Sequence, residues 1–262
     1  MTLVAGVDIG STTAKCALIE DGKVVGRSLN PVGVELVKDA ERALALALSD
    51  SGRERRDVRA VTGTGYGRFK VTFGQFTVTE IGCHAKGAHF LFPATRVVLD
   101  IGGQDTKAIK VDANGVVIDF AMNDKCAAGT GRFLDVCAGA LGYDVSEIGP
   151  LSLGARRPVK VTNTCTVFAE SEVSSYVARG KDPKDILAGL YGSIVSRSLS
   201  LLQRVGVEPE VTFTGGVSRN EGMVRTLRAR LGLPVNVSPL SQFVGAIGAA
   251  LYGLERLEAV PA

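Results

Sequence analysis

Two cysteines in similar surroundings are the residues of this chain best suited to chemistry. Cys126 follows the polar residues 123–125 and precedes a glycine-rich turn and a predicted helix, and thirty-nine residues later Cys165 also precedes a predicted helix. A thiol near a helix N-terminus is favoured as a thiolate, because the exposed N–H groups and the helix dipole stabilise an anion. Two such thiols are half of a four-thiolate site. Our hypothesis is that a second copy of the chain supplies the other half.

The other three cysteines are predicted to be small core residues. Cys16 lies in an alternating strand pattern, and Cys83 and Cys137 lie in predicted helices. The total of five cysteines is odd, which argues against a disulfide framework. The two histidines, His84 and His89, form no Cys/His spacing typical of zinc, and the chain has no CxxC motif.

A β-meander that could hold phosphate occurs twice in the sequence. Four residues recur after an interval of 92 positions, as Asp8, Ile9, Gly10 and Lys15 and then as Asp100, Ile101, Gly102 and Lys107. Each copy reads as three antiparallel strands joined by tight turns, so the chain is predicted to consist of two similarly folded halves. We place the halves at residues 1–93 and 94–262, with a C-terminal helix at residues 242–256 packing back on the first half.

Both copies combine a glycine-containing turn with carboxylates, which suits a nucleotide and its metal ion. Backbone N–H groups in such turns can approach phosphate oxygens closely. The predicted phosphate-binding residues are Gly10, Ser11, Thr12, Thr13, Gly102, Gly103 and Gln104. The oxygens of Asp8, Asp100 and Asp105 could hold Mg²⁺, directly or through water. Lys15 could neutralise phosphate, although its strand position equally suits a solvent-facing lysine.

The remaining segments alternate between helices and strands. Helices are predicted at residues 34–50, 80–89, 185–205 and 221–231, and strands at residues 58–62 and 235–237. A further buried strand begins at Val211 and runs into the Gly215-Gly216 turn. The glycines at residues 63–67 match neither GxGxxG nor the Walker pattern, which argues against Rossmann and P-loop folds.

Composition excludes several classes of partner. The chain has 262 residues, 45% hydrophobic and 22% charged, with a net charge of +3 that is too small to indicate nucleic-acid binding. No apolar run approaches the ~20 residues that a membrane-spanning helix needs. The first residues begin a strand rather than a signal peptide, so a cytoplasmic protein is expected.

These motifs resemble the actin, sugar kinase and Hsp70 ATPase superfamily over essentially the whole chain. The resemblance implies a duplicated ribonuclease-H-like α/β fold, with two halves around a nucleotide cleft. It identifies residues 8–15 as a phosphate-1 hairpin, residues 100–107 as a phosphate-2 hairpin and residues 214–220 as an adenosine loop. The residues it places at the adenosine are Gly215, Gly216, Asn220 and Gln242.

Within that superfamily, the two cysteine motifs resemble one branch, the BadF/BadG/BcrA/BcrD-type ATPases, which include the activators of 2-hydroxyacyl-CoA dehydratases. This resemblance implies that Cys126 and Cys165 of two subunits bind one [4Fe-4S] cluster in an oxygen-sensitive homodimer, and that ATP hydrolysis drives one-electron transfer. Ferredoxin or flavodoxin would be the electron donor, and a dehydratase component the partner. Gly129 and Gly131 would let the backbone approach the cluster or the phosphates.

The resemblance also implies catalytic roles and leaves alternatives. Asp105 or Gln104 would orient the attacking water, and Asp8 would help to organise Mg²⁺. Arg132 and Glu170 are interpreted as helix-surface groups. Other possible functions are an ATPase component of benzoyl-CoA reductase, an activator of a double-cubane reductase, a small-molecule (sugar) kinase and an actin-like scaffold.

Overall fold

The computed structural model describes residues 2–161 and 166–259, so the predicted ligand Cys165 lies outside the described residues. The strands are β1 (Leu3–Ile9), β2 (Thr13–Glu20), β3 (Lys23–Pro31), β4 (Val58–Thr64), β5 (Phe76–Thr77), β6 (Val97–Ile101), β7 (Thr106–Val111), β8 (Val117–Asn123), β9 (Val211–Thr214) and β10 (Val235–Asn236). The helices are α1 (Leu36–Ser51), α2 (Glu80–Leu91), α3 (Gly131–Leu141), α4 (Ile148–Ser152), α5 (Thr166–Ala178), α6 (Pro183–Val205), α7 (Glu221–Leu231) and α8 (Val244–Glu258). None of the helices described is both long and apolar enough to span a bilayer.

The first compact unit contains residues 2–95, Val111–Ile118 and residues 242–259. Its sheet has the strand order β3-β2-β1-β4-β5, with β1 antiparallel to β2 and parallel to β4. One face of α1 is buried on this sheet through alanines and leucines, which recur at the helical spacing seen in the sequence.

Helix α8 packs on β1 and α2 in the same unit, and small residues make this possible. Gly248 lies directly against the backbone carbonyl of Cys83, where any side chain would overlap. The glycines and alanines of the last predicted helix predict such close packing, and this is confirmed. The helix itself begins at Val244, after a 3₁₀ turn at Ser241–Phe243.

The second unit contains Arg96–Lys110 and Asp119–Ser241. Its sheet has the strand order β10-β9-β6-β7-β8, with β6 antiparallel to β7 and parallel to β9. The core of this unit joins the sheet to α3, α5, α6 and α7, and includes the fully buried Phe213 and Tyr191. The short helix α4 is not among the elements that the sequence predicts.

The two sheets have the same topology, which confirms the predicted duplication of an α/β half. In each sheet a three-strand meander is followed on its other side by two strands whose pairing is parallel. Because the first strand of each meander is central, its carboxyl end lies beside both the hairpin turn and the end of a parallel strand. These two strand ends carry Asp8 and Asp100.

Candidate functional site

The two predicted phosphate hairpins have the same turn geometry. The N–H of Gly10 donates to the carbonyl of Thr13 at 3.0 Å, and the N–H of Gly102 donates to the carbonyl of Asp105 at 3.0 Å. Each hydrogen bond closes a two-residue turn at the end of a sheet. The residues at the tips are Ser11, Thr12, Gly103 and Gln104.

In the first unit, the carboxylate before the hairpin is buried and paired. Asp8 on β1 lies opposite Lys15 on β2 and beside Thr64 on β4. Its side chain is 6% exposed, and Lys15 Nζ lies 3.3 Å from Asp8 Oδ2. Lys15 is itself only 13% exposed, so the alternative of a solvent-facing lysine is wrong. A Cβ added to Gly245 would lie 2.9 Å from Asp8 Oδ2 and 3.1 Å from His84 Nε2, so α8 packs closely against this carboxylate and against His84 of α2.

In the second unit, the equivalent carboxylate is Asp100, which pairs with Lys107 and also accepts a hydrogen bond from Thr214. Lys107 on β7 lies opposite Asp100 on β6, with Nζ 3.6 Å from Asp100 Oδ2 and 2.6 Å from Asp105 Oδ2. Thr214 on β9 donates its hydroxyl to Asp100 Oδ1 at 2.9 Å. Of the three predicted carboxylates, Asp105 is the most accessible, with its side chain 28% exposed.

The sequence predicts the aspartates, the lysines and the strands β4 and β9, but it does not show that β4 and β9 lie beside the aspartates. β4 ends at Thr64 and β9 ends at Thr214, and the glycine that follows each strand, Gly65 or Gly215, has positive φ, +87° and +83° respectively. A Cβ at either glycine would overlap the backbone or the carboxylate of the neighbouring aspartate strand. The Thr-Gly pair that follows an apolar run in both strands is the sequence signal that could have identified β4 and β9 as equivalent strands. Comparing residues 63–67 with Rossmann and P-loop patterns alone does not detect it.

The buried pair of Lys107 and Asp100 leads to a stability prediction. Removing one partner of a buried ion pair leaves an uncompensated charge and typically costs ~3–5 kcal/mol. Lys107→Met should therefore lower the free energy of unfolding by ~3 kcal/mol in chemical denaturation. Lys110→Met is the control on the same strand, because Lys110 pairs with the half-exposed Glu208 and should cost under ~1 kcal/mol. Equal losses in the two variants would contradict this interpretation.

Cys126 lies in an exposed segment that precedes α3. The helix begins at Gly131, and the N–H groups of Gly131 and Arg132 donate to the carbonyls of Gly102 and Gly103 at 2.9 and 2.8 Å. The expectation that the first N–H groups of α3 serve an anion at the thiol is therefore wrong for these two groups. They attach the helix to the phosphate-2 hairpin instead.

The thiol of Cys126 is exposed, whereas the other described cysteines are buried as predicted. Burial raises the pKa of Cys16, and it raises the pKa of Cys83 and of Cys137 to about 12. A raised thiol pKa keeps the neutral, unreactive form at neutral pH. Exposure and residue type thus make Cys126 suitable as a thiolate ligand and exclude the three buried thiols.

This difference predicts the labelling pattern of the metal-free protein. At ~pH 8, burial and a raised pKa keep the thiols of Cys16, Cys83 and Cys137 neutral and inaccessible to reagent, whereas Cys126 is exposed. Maleimide should therefore modify Cys126 rapidly and leave the three buried cysteines unmodified until denaturant is added. Peptide mass spectrometry measures this site by site, and modification of Cys137 before unfolding would contradict it.

The predicted adenosine loop is a 3₁₀ turn between β9 and α7. Gly215 precedes the turn Gly216–Arg219, and Asn220 is the N-cap of α7. The Asn220 side chain accepts a hydrogen bond from the N–H of Met223 and donates one to Tyr191 Oη, both at 3.0 Å. The structure thus gives Asn220 a capping role that the sequence does not assign to it.

A cavity of about 630 Å³ opens beside this loop within the second unit. Its lining residues include Ser218, Arg219, Arg228, Ser238 and Pro239. Ser218 and Arg219 lie in the predicted adenosine loop, residues 214–220. Arg228, Ser238 and Pro239 are not predicted at the site, since no local spacing links the loop after β9 to the loop after β10. The other candidate, Gln242, lies in the 3₁₀ turn before α8.

Arg132 and Glu170 are exposed, as expected of helix-surface groups. With Asp135 they line an open cavity of about 440 Å³ on α3 and α5. Burial of the Asp135 carboxyl raises its pKa. Gly129, with φ +97°, precedes α3, and its carbonyl accepts a hydrogen bond from the hydroxyl of Thr106 at 3.1 Å.

Within residues 2–161 and 166–259, no three His, Cys, Asp or Glu side chains converge on a common point that could hold a metal ion. The donor types nevertheless fit the predicted groups. Asp8, Asp100 and Asp105 offer hard oxygens suited to Mg²⁺ near the two hairpins, and Cys126 offers one exposed sulfur.

Two characterised relatives match nearly the whole chain. The (R)-2-hydroxyglutaryl-CoA dehydratase activating ATPase of Acidaminococcus fermentans is 44% identical over 253 residues, 96% of each chain. The 2-hydroxyisocaproyl-CoA dehydratase activator of Clostridioides difficile is 42% identical over 251 residues, 96% of this chain and 94% of the relative. One of the subunits of the benzoyl-CoA reductase of Thauera aromatica is 36% identical over 269 residues, which cover 98% of this chain and 95% of the relative.

Solved structures agree with these matches. The activator of the 2-hydroxyisocaproyl-CoA dehydratase from Clostridium difficile with bound ADPNP superposes with a TM-score of 0.93 at 40% identity, covering 100% of this chain and 99% of that one. A ROK family glucokinase from Streptomyces griseus shares the fold alone, with a TM-score of 0.61 and 16% identity over 97% of this chain and 99% of the kinase. The predicted actin, sugar kinase and Hsp70 type of ATPase fold is confirmed.

The family model agrees with the individual relatives. It matches residues 5–253, a range that contains both hairpins, Cys126 and the adenosine loop. The chain therefore belongs to the BadF/BadG/BcrA/BcrD ATPase family.

Proposed function

We propose that this chain is an ATP-dependent one-electron donor that activates a 2-hydroxyacyl-CoA dehydratase. One observation carries the proposal: the exposed thiol of Cys126 lies in the segment that is hydrogen-bonded to a phosphate-type hairpin. The two relatives at 42% and 44% identity are named as dehydratase activators, and they support this function over that of the benzoyl-CoA reductase relative at 36%.

The nucleotide phosphates would bind at the hairpin tips. At each hairpin, backbone N–H groups of the turn would donate to phosphate oxygens. Within their own units, the carboxylates of Asp8, Asp100 and Asp105 would hold Mg²⁺ or its waters. Asp105 is our choice for orienting the attacking water, because its side chain is far more accessible than those of Asp8 and Asp100. The cavity beside Arg219 and Ser238 would take the adenosine, which adds these two residues to Gly215 and Gly216.

The electron site would form between two copies of the chain, with Cys126 and Cys165 contributed by each. A bound [4Fe-4S] cluster supplies a one-electron carrier at this position. Cys126 and Cys165 would hold the cluster, and the phosphate-2 hairpin, which is hydrogen-bonded to the segment after Cys126, would connect the cluster to the nucleotide. We further propose ferredoxin or flavodoxin as the electron donor and the dehydratase component as the acceptor.

The test is purification without oxygen, followed by iron and sulfide counting and by assays of ATP hydrolysis. The proposal predicts about four iron atoms for every two chains. It also predicts that the protein, with ATP and a low-potential reductant, starts turnover of a 2-hydroxyacyl-CoA dehydratase. An iron-free protein that phosphorylates hexoses would contradict it and support the sugar kinase alternative.

Asp105→Asn should separate hydrolysis from binding. If Asp105 orients water by accepting a proton or a hydrogen bond, its loss should slow ATP hydrolysis by at least ~100-fold. ADP affinity should change little, because the backbone of the turn remains. Asp119→Asn, at an exposed carboxylate on β8, is the control. Near-normal hydrolysis by Asp105→Asn would assign the water to Gln104 or Asp8 instead.

A further inference from the structure

Three hydrogen bonds join the phosphate-2 hairpin to the stretch just after Cys126. Two of them come from the backbone of α3, where the N–H groups of Gly131 and Arg132 donate to hairpin carbonyls at 2.9 and 2.8 Å. The third is the hydroxyl of Thr106, which donates to the carbonyl of Gly129 at 3.1 Å. All of these residues belong to the second unit.

The geometry makes this a rigid attachment rather than a surface contact. The first N–H groups of a helix have no partner within the helix, so their bonds to the hairpin satisfy two donors that would otherwise need water. Thr106 is 3% exposed, and its bond is therefore protected from solvent. A change in the position of the hairpin must consequently move Gly129 and the start of α3.

A short hydrogen-bonded turn continues from this attachment to the cysteine. Both the N–H and the hydroxyl of Thr130 donate to the carbonyl of Ala127, at 3.1 and 2.6 Å. The carbonyl of Cys126 accepts a hydrogen bond from Asn123 Nδ2 at 3.0 Å. These hydrogen bonds restrain the backbone of the three residues between Cys126 and Thr130. A displacement of Gly129 should therefore also displace Cys126.

The internal duplication shows that the Thr106 hydroxyl is not needed to build a hairpin. Thr106 pairs with Ile101 in the second hairpin, and the equivalent pair in the first hairpin is Ile9 with Ala14. Ala14 is buried in the same strand position without any hydroxyl. The hydroxyl occurs in the hairpin that adjoins Cys126.

We propose that Thr106 is a positioning residue that transmits the nucleotide state of the phosphate-2 hairpin to the Cys126 segment. This rests on the proposed function in one respect, namely that a nucleotide phosphate binds at the hairpin. Thr106 is neither a predicted phosphate-binding residue nor a predicted cluster ligand, and its hydroxyl bonds to the carbonyl of Gly129. It acts by holding Gly129 to the strand that starts at the hairpin.

The experiment uses metal-free, full-length protein and measures the rate at which N-ethylmaleimide modifies Cys126. Rates are compared for protein alone, with ADP and with ADPNP, by mass spectrometry of the peptide that contains Cys126. Coupling between sites typically changes an equilibrium by ~5- to 150-fold, so we expect the wild-type rate to differ by at least ~5-fold between nucleotide states.

Thr106→Ala installs the residue that the first hairpin has at this position. In this variant the rate of Cys126 modification should vary by less than ~2-fold between nucleotide states, because the coupling is lost. Its ADP affinity should stay within ~3-fold of wild type, because the binding turn remains. Thr106→Ser keeps the hydroxyl and should restore the wild-type response. Thr226→Ala removes a comparable hydroxyl-to-carbonyl bond, to Gly222 in α7, and should leave the response intact.

A wild-type response in Thr106→Ala would overturn the proposal, and so would a wild-type protein that binds nucleotide without any change at Cys126. Parallel loss of ADP affinity and response would also overturn it, because Thr106 would then act on the phosphate site itself. Failure of the proposed function looks different. It appears as missing iron or absent dehydratase activation, neither of which enters this measurement.

Discussion

Cys126→Ala should yield a protein without iron. In a dimer with two-fold symmetry, each substituted cysteine removes two of four thiolates, so a single change leaves half of the ligand set. The iron content should fall from about four atoms per two chains to nearly none. Colorimetric iron and sulfide analysis of protein purified without oxygen measures this directly. Cys165→Ala is expected to behave in the same way, on the strength of the sequence motif alone.

Cys137→Ala is the matched control for this experiment. Cys137 is fully buried on α3, in the same helix that follows Cys126, so its replacement perturbs the core slightly and leaves the exposed thiol in place. Iron should be retained, with a modest loss of stability of ~1 kcal/mol. Full iron loading of Cys126→Ala, or equal loss in both variants, would refute the bridging-cluster proposal.

Gly215→Ala should abolish ATP hydrolysis and strongly destabilise the protein. Gly215 has φ +83° and ψ 175°, a backbone region that is essentially restricted to glycine. A Cβ there would overlap the carbonyl of Ile101 and lie 2.9 Å from Asp100 Oδ1. The loop must move or the strand ends must separate, which should cost ~3 kcal/mol and lower Tm on the order of 10 °C.

Gly232→Ala is the control that separates the two effects of Gly215→Ala, the steric overlap of the new Cβ and the strain of the backbone. Gly232 also has positive φ, +68° with ψ 15°, but a Cβ there meets nothing within 4 Å. A left-handed alanine costs ~1 kcal/mol, so Tm should fall only slightly and hydrolysis per folded molecule should stay normal. If both variants unfold at the same temperature and hydrolyse ATP equally, the carboxylate at Asp100 does not depend on the close approach of Gly215.

The two halves of the fold differ in ways that bear on which hairpin does chemistry. Lys15 contacts one carboxylate, whereas Lys107 is shared between Asp100 and Asp105. The second hairpin also carries the attachment to α3. The two turns are therefore similar in backbone geometry, and the second also carries the accessible carboxylate of Asp105 and the hydrogen bonds to the segment after Cys126.

Much of the fold could be predicted because its signals are local. The repeat of Asp-Ile-Gly and lysine defined both meanders, and the predicted bounds of α7, Glu221–Leu231, agree with the structure. The glycine and alanine pattern of the last helix indicated close packing. Such signals are readable because strand alternation, turn glycines and helical periodicity each depend on neighbouring residues.

The sequence by itself determined the duplicated fold, the hairpin residues, the buried state of Cys16, Cys83 and Cys137, and the family resemblance. The tertiary structure alone decided which charges pair, that Thr64-Gly65 and Thr214-Gly215 flank the aspartates, and that the first N–H groups of α3 bond to the phosphate-2 hairpin rather than facing the Cys126 thiol. The physical reason is that these contacts join residues far apart in the chain. Their partners are chosen by parallel strand pairing and by helix docking, neither of which leaves a fixed spacing in the sequence.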